Sequence, residues 1–189
     1  MLRCFLYKQV QTAKALALQA LAILIVTVTG NQLLRAAQST AFEEYQLKAG
    51  YLYNFISFTE WPESIGPAIN LCVYGPDPFG AELDALANKT VAGHTLHISR
   101  SNNVDALTAC QVVFVAREAV SNLARLMDVM EGKTVLLVAD SEGAGQAGIA
   151  LNMVVEAKKI GFEVNLQAAE RHGLHVSYRL LRLAREVFK

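Results

Sequence analysis

Cys72 and Cys110 are the two residues to which the chain's spacing assigns the most definite chemistry. Cys72 stands in the short β-prone run Asn70–Tyr74 (NLCVY), and Cys110 immediately precedes the unbroken apolar run Gln111–Ala116 (QVVFVA). Those runs read as the first and third strands of one doubly wound sheet. Such strands are usually neighbours, about 4.8 Å apart, which lies within the reach of a disulfide. A Cys72–Cys110 bond is therefore expected, with two buried thiols as the alternative. No Cys-X-X-Cys spacing gives the pair a redox role, so the bond reads as structural.

Other chemistry finds less support. Gly143-Ala144-Gly145-Gln146-Ala147-Gly148 matches G-x-G-x-x-G and follows an apolar run. That fingerprint works by aiming a helix N-terminus at a pyrophosphate. Here the glycines lead into Ile149–Val155, which alternates like a strand, and Asp140-Ser141-Glu142 puts acidic groups in the approach. It reads as a loop before a hairpin. His94 and His97 are three apart on a strand and so face opposite ways, while His172 and His175 flank Gly173 in a turn. Neither pair has a third donor at metal-ligand spacing. Ser57, Ser64, Ser121 and Ser177 lack a G-x-S-x-G setting, and Glu43-Glu44 lies on a helix exterior. The expectation is no catalytic residue, no metal and no cofactor.

The elements that would position these groups follow from pattern. Thr40 and Glu43 form a capping box, opening a helix over 41–58 that ends before Trp61-Pro62. Its second half, Tyr51 to Ile56, is apolar almost all round, so it is deeply buried or presents a face to something else. After the first strand, Asp77-Pro78 reads as an N-cap with proline at the first helical position, giving a helix to about Asn88. Thr95–Arg100 is the second strand, Glu118–Met130 a helix and Thr134–Ala139 the fourth strand. Repeated strand–helix–strand units imply a parallel sheet covered by helices.

The last third changes style. Apolar residues fall on odd positions from Ile149 to Val155 and on even ones from Ile160 to Leu166. A hairpin turning at Lys158-Lys159 would pair Val155 with Phe162 and Met153 with Val164. Its other face holds Asn152, Glu156, Glu163 and Asn165, as at a sheet edge. A final helix is expected over Leu174–Phe188, burying Leu174, Tyr178, Leu181, Ala184 and Phe188.

The N-terminus carries Arg3, Lys8 and Lys14, then an apolar stretch from Ala15 to Val28. That is the pattern of a secretory signal peptide, and the stretch is shorter than the roughly 20 residues a membrane-spanning helix needs. Cleavage fits after Gly30 or after Ala37, and an uncleaved anchor is the alternative. Removing residues 1–37 takes Cys4 and four basic residues, leaving 13 Lys+Arg against 17 Asp+Glu. An acidic chain of about 150 residues argues for one domain and against nucleic acid or anionic lipid as partner. The two remaining cysteines suit an oxidising compartment.

Several stretches together carry a resemblance. They are Gly50-Tyr51-Leu52-Tyr53-Asn54-Phe55, Glu60-Trp61-Pro62, Leu71-Cys72-Val73, Pro78-Phe79-Gly80 and Cys110-Gln111-Val112-Val113-Phe114, then Leu151-Asn152-Met153-Val154, Ile160–Leu166 and Leu180–Ala184. In this order and spacing, across about 42–188, the chain resembles the YfiR family. The resemblance implies a periplasmic regulator that restrains a membrane-bound diguanylate cyclase by binding its periplasmic domain. It also implies sequestration by an outer-membrane lipoprotein, with release raising cyclic di-GMP and surface attachment. Some members carry a second cysteine pair around the late loop and hairpin. This chain has Gly, Ala and Met there, so redox control through a second bond is not carried over.

The expected architecture is a mostly parallel, doubly wound α/β sheet of the Rossmann-like or flavodoxin-like kind. An N-terminal helix precedes it, and a C-terminal antiparallel hairpin plus helix follows. Residues 1–37 are read as the signal and 38–189 as one domain. Candidate partner-binding residues are Tyr51, Phe55, Glu163, Asn165, Arg171 and His175, with homo-oligomerisation left open. The alternative function is a periplasmic small-ligand module, using the cleft at the strand C-terminal ends near Gly75, Ala116 and Asp140.

Overall fold

In the computed structural model, which describes residues 43–189 apart from Lys158, the helix α1 is seen from residue 43 to residue 57. Its stripe of Ala49, Leu52, Phe55 and Ile56 is buried. Two side chains close its C-terminus: Thr59 Oγ1 donates to the Phe55 carbonyl at 2.7 Å and Trp61 Nε1 to the Ile56 carbonyl at 2.9 Å. Both carbonyls belong to the last turn, where no helical N–H remains to bond them. Thr40, the expected export signal and its expected cleavage positions lie outside the described residues.

Chain order then runs β1 (Thr59–Glu60), β2 (Ala68–Tyr74), α2 (Ala81–Asp84), β3 (Thr90–Val91), β4 (His94–Ser101), β5 (Val112–Val115) and α3 (Leu123–Met130). It continues with β6 (Leu136–Ala139), β7 (Leu151–Glu156), β8 (Lys159–Asn165), α4 (Leu166–Arg171), β9 (His175–Val176), α5 (Tyr178–Leu181) and β10 (Glu186–Phe188). Eight strands make one sheet in the order β10-β8-β7-β6-β5-β2-β4-β3, and β1 pairs with β9 in a separate antiparallel ribbon.

The central five, β4-β2-β5-β6-β7, are parallel to one another. Renumbered along the chain their order is 2-1-3-4-5, the flavodoxin-like doubly wound arrangement. Every residue of β5 and β6 is buried, as a sheet covered on both faces requires. Leu71, Val73, Val112, Phe114, Leu136 and Val138 point to the face that α1 covers. Cys72, Tyr74, Val113, Val115, Leu137 and Ala139 point to the other, packed by α3 and the 3₁₀ segment Val104–Ala109. Alternation by two residues thus splits each strand between two cores.

Several local expectations are corrected. The helix from Asp77 is only α2, because the Asp77 carboxylate accepts from the N–H groups of Phe79 (2.8 Å) and Gly80 (3.2 Å) and closes a turn instead. The segment before α3 is a 3₁₀ turn over Arg117–Asn122. In the hairpin the partners are Met153–Phe162, Val155–Ile160 and Glu156–Lys159, two residues tighter than the expected register. A shift of two keeps every side chain on its face, but Val155 at the hairpin end is exposed and Asn152, expected on the polar face, is fully buried.

The C-terminal helix is the largest correction. Asn165 Oδ1 accepts from the Ala168 N–H at 2.9 Å and starts α4, which pattern reading missed. Ser177 caps the four-residue α5, and the chain then extends so that β10 pairs in parallel with β8. The open edge of β8 outcompeted helix propensity over Glu186–Phe188. Tyr178, expected to be buried, is exposed.

Candidate functional site

Asp140 directly follows β6, so a fully buried strand delivers its carboxylate to the C-terminal edge of the sheet. Lys48 lies one turn before Leu52 on the buried stripe of α1. Both side chains are completely inaccessible, and Lys48 Nζ stands 2.5 Å from Asp140 Oδ2. The ammonium also pairs with Glu44 and lies 4.4 Å from the centre of the Tyr45 ring. Tyr45 donates its hydroxyl to Asp140 Oδ2 at 2.9 Å. Arg117 adds a guanidinium 3.4 Å from the same oxygen and donates from Nε to the Asp140 backbone carbonyl at 3.2 Å.

Charges removed from water need partners, and this group supplies them from three elements at once. The environment shows in the tyrosine. Burial first, and then the Asp140 charge that its hydroxyl faces, hold the Tyr45 pKa well above the ordinary value. For Arg117, desolvation works against the charged form, but the Asp140 carboxylate, Tyr45 and Glu44 outweigh it and raise its pKa. Two polar atoms are left over: Asp140 Oδ1 and Ser141 Oγ are buried without a hydrogen-bond partner among the described residues.

Beside this cluster lies a cavity of about 850 Å³, bounded by the loop after β6 and by the outer half of β7. Asn152, fully buried on β7, shapes its rim. Its amide donates to the Ser141 carbonyl at 2.9 Å and to Glu163 Oε2 at 3.0 Å, and its oxygen accepts from the Ser141 N–H at 3.2 Å. Asn165 Nδ2 ties the same loop down through the Gly145 carbonyl at 2.8 Å. Gly145 is closely packed: a Cβ there would lie 3.0 Å from the Phe188 ring and 3.1 Å from the Glu163 carboxylate, so those side chains would have to shift. The G-x-G-x-x-G segment is thus a packed loop leading into β7.

The residues expected at a partner surface fall in several places. Phe55 is fully buried against Phe162 at a ring separation of 5.1 Å, so its expected surface role is withdrawn. Tyr51 is half-buried, stacked beside the same two rings, with its hydroxyl on the Ile160 carbonyl at 2.9 Å. Glu163 reaches the cavity, while Asn165 serves as the α4 cap and loop anchor. Arg171 and His175 are exposed, on α4 and in the β1–β9 ribbon. Cys72 and Cys110 form a disulfide with Cα atoms 6.0 Å apart, joining β2 to the residues entering β5.

Of the three residues expected at a ligand cleft, Asp140 lines the cavity, while Gly75 and Ala116 do not. A Cβ on Gly75 would lie 2.9 Å from Ala119 Cβ and 3.2 Å from Ala116 Cβ. The room lies further along the sheet edge, at Asp140. Lys48, Glu44, Tyr45 and Arg117 were missed as a group. A lysine on the apolar stripe of α1 was the available signal, since a buried ammonium demands a buried acceptor.

An "ABC domain in complex with L-Trp" from Streptococcus pneumonia is similar over 64% of this chain and 55% of its own, at 12% identity and a TM-score of 0.49. A "conserved domain protein" from Vibrio cholerae O1 biovar eltor matches over 76% of this chain and 60% of its own, at 12% identity and a TM-score of 0.52. The chain therefore spans less than two thirds of each, and the second supports an α/β fold only. The model of the YfiR/HmsC-like family matches residues 45–185, from the Tyr45 of the ionic cluster to the Arg185 at the cavity. The chain belongs to the YfiR/HmsC-like family.

Proposed function

We propose that this protein is a periplasmic negative regulator that binds the periplasmic domain of an inner-membrane diguanylate cyclase and restrains it, lowering cyclic di-GMP. The family match over residues 45–185 carries this reading. An outer-membrane lipoprotein that sequesters the regulator would complete the circuit. Restraint of this kind is a binding event, so it calls for side chains that meet a partner rather than a substrate.

The exposed apolar residues suit that task. Leu47 lies one turn from Tyr51 on α1 and is 61% exposed, and Val155 at the end of β7 is 46% exposed. Leu47 and Tyr51 share a helix face, and Tyr51 bonds to Ile160, the cross-strand partner of Val155. Arg171, His175 and Tyr178 form a second exposed segment. Aromatic and arginine anchors in such patches dominate binding energy at protein interfaces.

The test is a binding measurement between the purified protein and the periplasmic domains of the membrane diguanylate cyclases of the same genome. One cyclase domain is expected to bind, and Leu47→Asp with Tyr178→Asp is expected to weaken that binding. Failure of every cyclase domain to bind would sink the reading.

A further inference from the structure

The charge of the chain is segregated in a way that its sum conceals. Residues 38–170 hold 8 Lys+Arg against 16 Asp+Glu, a net −8, whereas residues 171–189 hold 5 against 1, a net +4. From Arg171 to Arg185 there is no acidic residue at all. The net acidity that argues against an anionic lipid partner is therefore not a property of this end of the chain. A molecule charged in this way turns its basic end towards a negative surface and its acidic remainder away.

The fold gathers part of the basic end on one exposed face. The turn opened by α5 runs on past Leu181. The Arg182 N–H donates to the Tyr178 carbonyl at 3.1 Å, the Leu183 N–H to the Leu180 carbonyl at 3.0 Å and the Ala184 N–H to the Leu181 carbonyl at 3.2 Å. Leu180, Leu181 and Ala184 pack on the core. Tyr178, Arg179, Arg182 and Leu183 take the opposite side at helical spacing, and all four are exposed. Among the described residues Tyr178 and Leu183, at 76% and 71%, are the most exposed large apolar side chains. Arg179 and Arg182 have no carboxylate partner among the described residues, whereas Arg185 just beyond is held by Glu156 at 3.5 Å.

Two apolar tips beside two unpaired guanidiniums match the surface of a phospholipid bilayer. Tyrosine settles at the headgroup level and leucine enters the acyl boundary. Arginine lays its stem along apolar surface while its head stays with phosphate. A nucleic acid would use the charge but leave Leu183 without a role. We propose that the face formed by Tyr178, Arg179, Arg182 and Leu183 docks the protein on a membrane leaflet rich in anionic phospholipid. The acidic remainder is then turned away from the lipid. Docking of this kind does not rest on the cyclase reading, since a lipid surface alone suffices.

Co-sedimentation of the purified protein with vesicles tests it, using phosphatidylcholine with phosphatidylglycerol as the probe and phosphatidylcholine alone as the control. All variants keep residues 1–42, so any binding from that segment is common to them. The protein is expected to bind the phosphatidylglycerol vesicles more tightly, and less so as salt is raised. Arg179→Gln with Arg182→Gln is expected to lower that affinity by about tenfold or more, in line with the attraction each basic residue adds at an anionic surface. Leu183→Gln is expected to weaken it as well. Lys89→Gln with Lys133→Gln removes the same charge from exposed positions elsewhere and is expected to change little. All of these positions are exposed, and unchanged thermal unfolding confirms that each variant is folded. The cyclase-binding assay is read separately, because Leu47 and Tyr178 stay in place. The proposal is overturned if the phosphatidylglycerol vesicles capture no more protein than phosphatidylcholine alone. It is equally overturned if the arginine pair and the lysine pair weaken capture to the same extent or not at all.

Discussion

Lys48 and Asp140 place a charged pair in the interior of the domain. Both side chains are at zero exposure, and Tyr45, Glu44 and Arg117 close around them. Breaking such a pair from one side costs about 3–5 kcal/mol, because the other charge stays buried alone. Lys48→Ala is therefore expected to lower the unfolding free energy by roughly that amount. Lys48→Met with Asp140→Leu is expected to recover most of it. A double-mutant cycle by urea denaturation measures both, and additive losses would show that the pair is not coupled. Tyr45 adds a pH signature. Its raised pKa means that the folded state holds the hydroxyl proton more tightly than the unfolded chain, where tyrosine titrates at about 10. The associated stability is fully present below that pH and is lost as pH rises beyond it. Tyr45→Phe should flatten the alkaline decline in unfolding free energy, and an unaltered slope would contradict the assignment. In the sequence, Asp140 was visible as an acidic residue after a buried strand. Its lysine was not, because composition and periodicity show a polar residue on an apolar stripe without showing what it meets ninety residues away.

At the scale of elements, the order of strands was legible where runs of Val, Leu and Phe had to be buried on both faces. β5 and β6 appear within a residue or two of their expected bounds. Places where local chemistry competes with pattern were not legible. Asp77 spends its carboxylate on a turn rather than a helix, and β10 joins an open sheet edge although its residues also fit a helical stripe. The disulfide followed from topology, since β2 and β5 are adjacent. The bond spans 38 positions, and restraining the unfolded chain over a loop of that size stabilises by about 4 kcal/mol in the chain-entropy account. Cys72→Ala with Cys110→Ala should thus lower the midpoint of thermal unfolding substantially. The midpoint is expected to become indifferent to reductant, whereas in the unaltered protein reductant should lower it. A reductant effect that persists in the double variant would contradict a structural bond between these two residues.

For the whole molecule, a five-stranded parallel core in flavodoxin-like order carries two separable features on its margin. One is a set of exposed apolar and basic residues on α1, the hairpin and the segment after α4. The other is an acidic cavity at the strand ends, walled by a prearranged loop. Membership of the YfiR/HmsC-like family supports the proposed role in periplasmic control of cyclic di-GMP. The depth of the candidate partner residues on α1 was not legible, since Tyr51 and Phe55 share a face one helical turn apart but Phe55 is fully buried and Tyr51 only half-buried. The most direct measurement of the central claim is intracellular cyclic di-GMP in the host strain before and after deletion of this gene. The account predicts a rise on deletion, reversed by the unaltered gene but not by one carrying Leu47→Asp with Tyr178→Asp. An unchanged level in the deletion strain would contradict it.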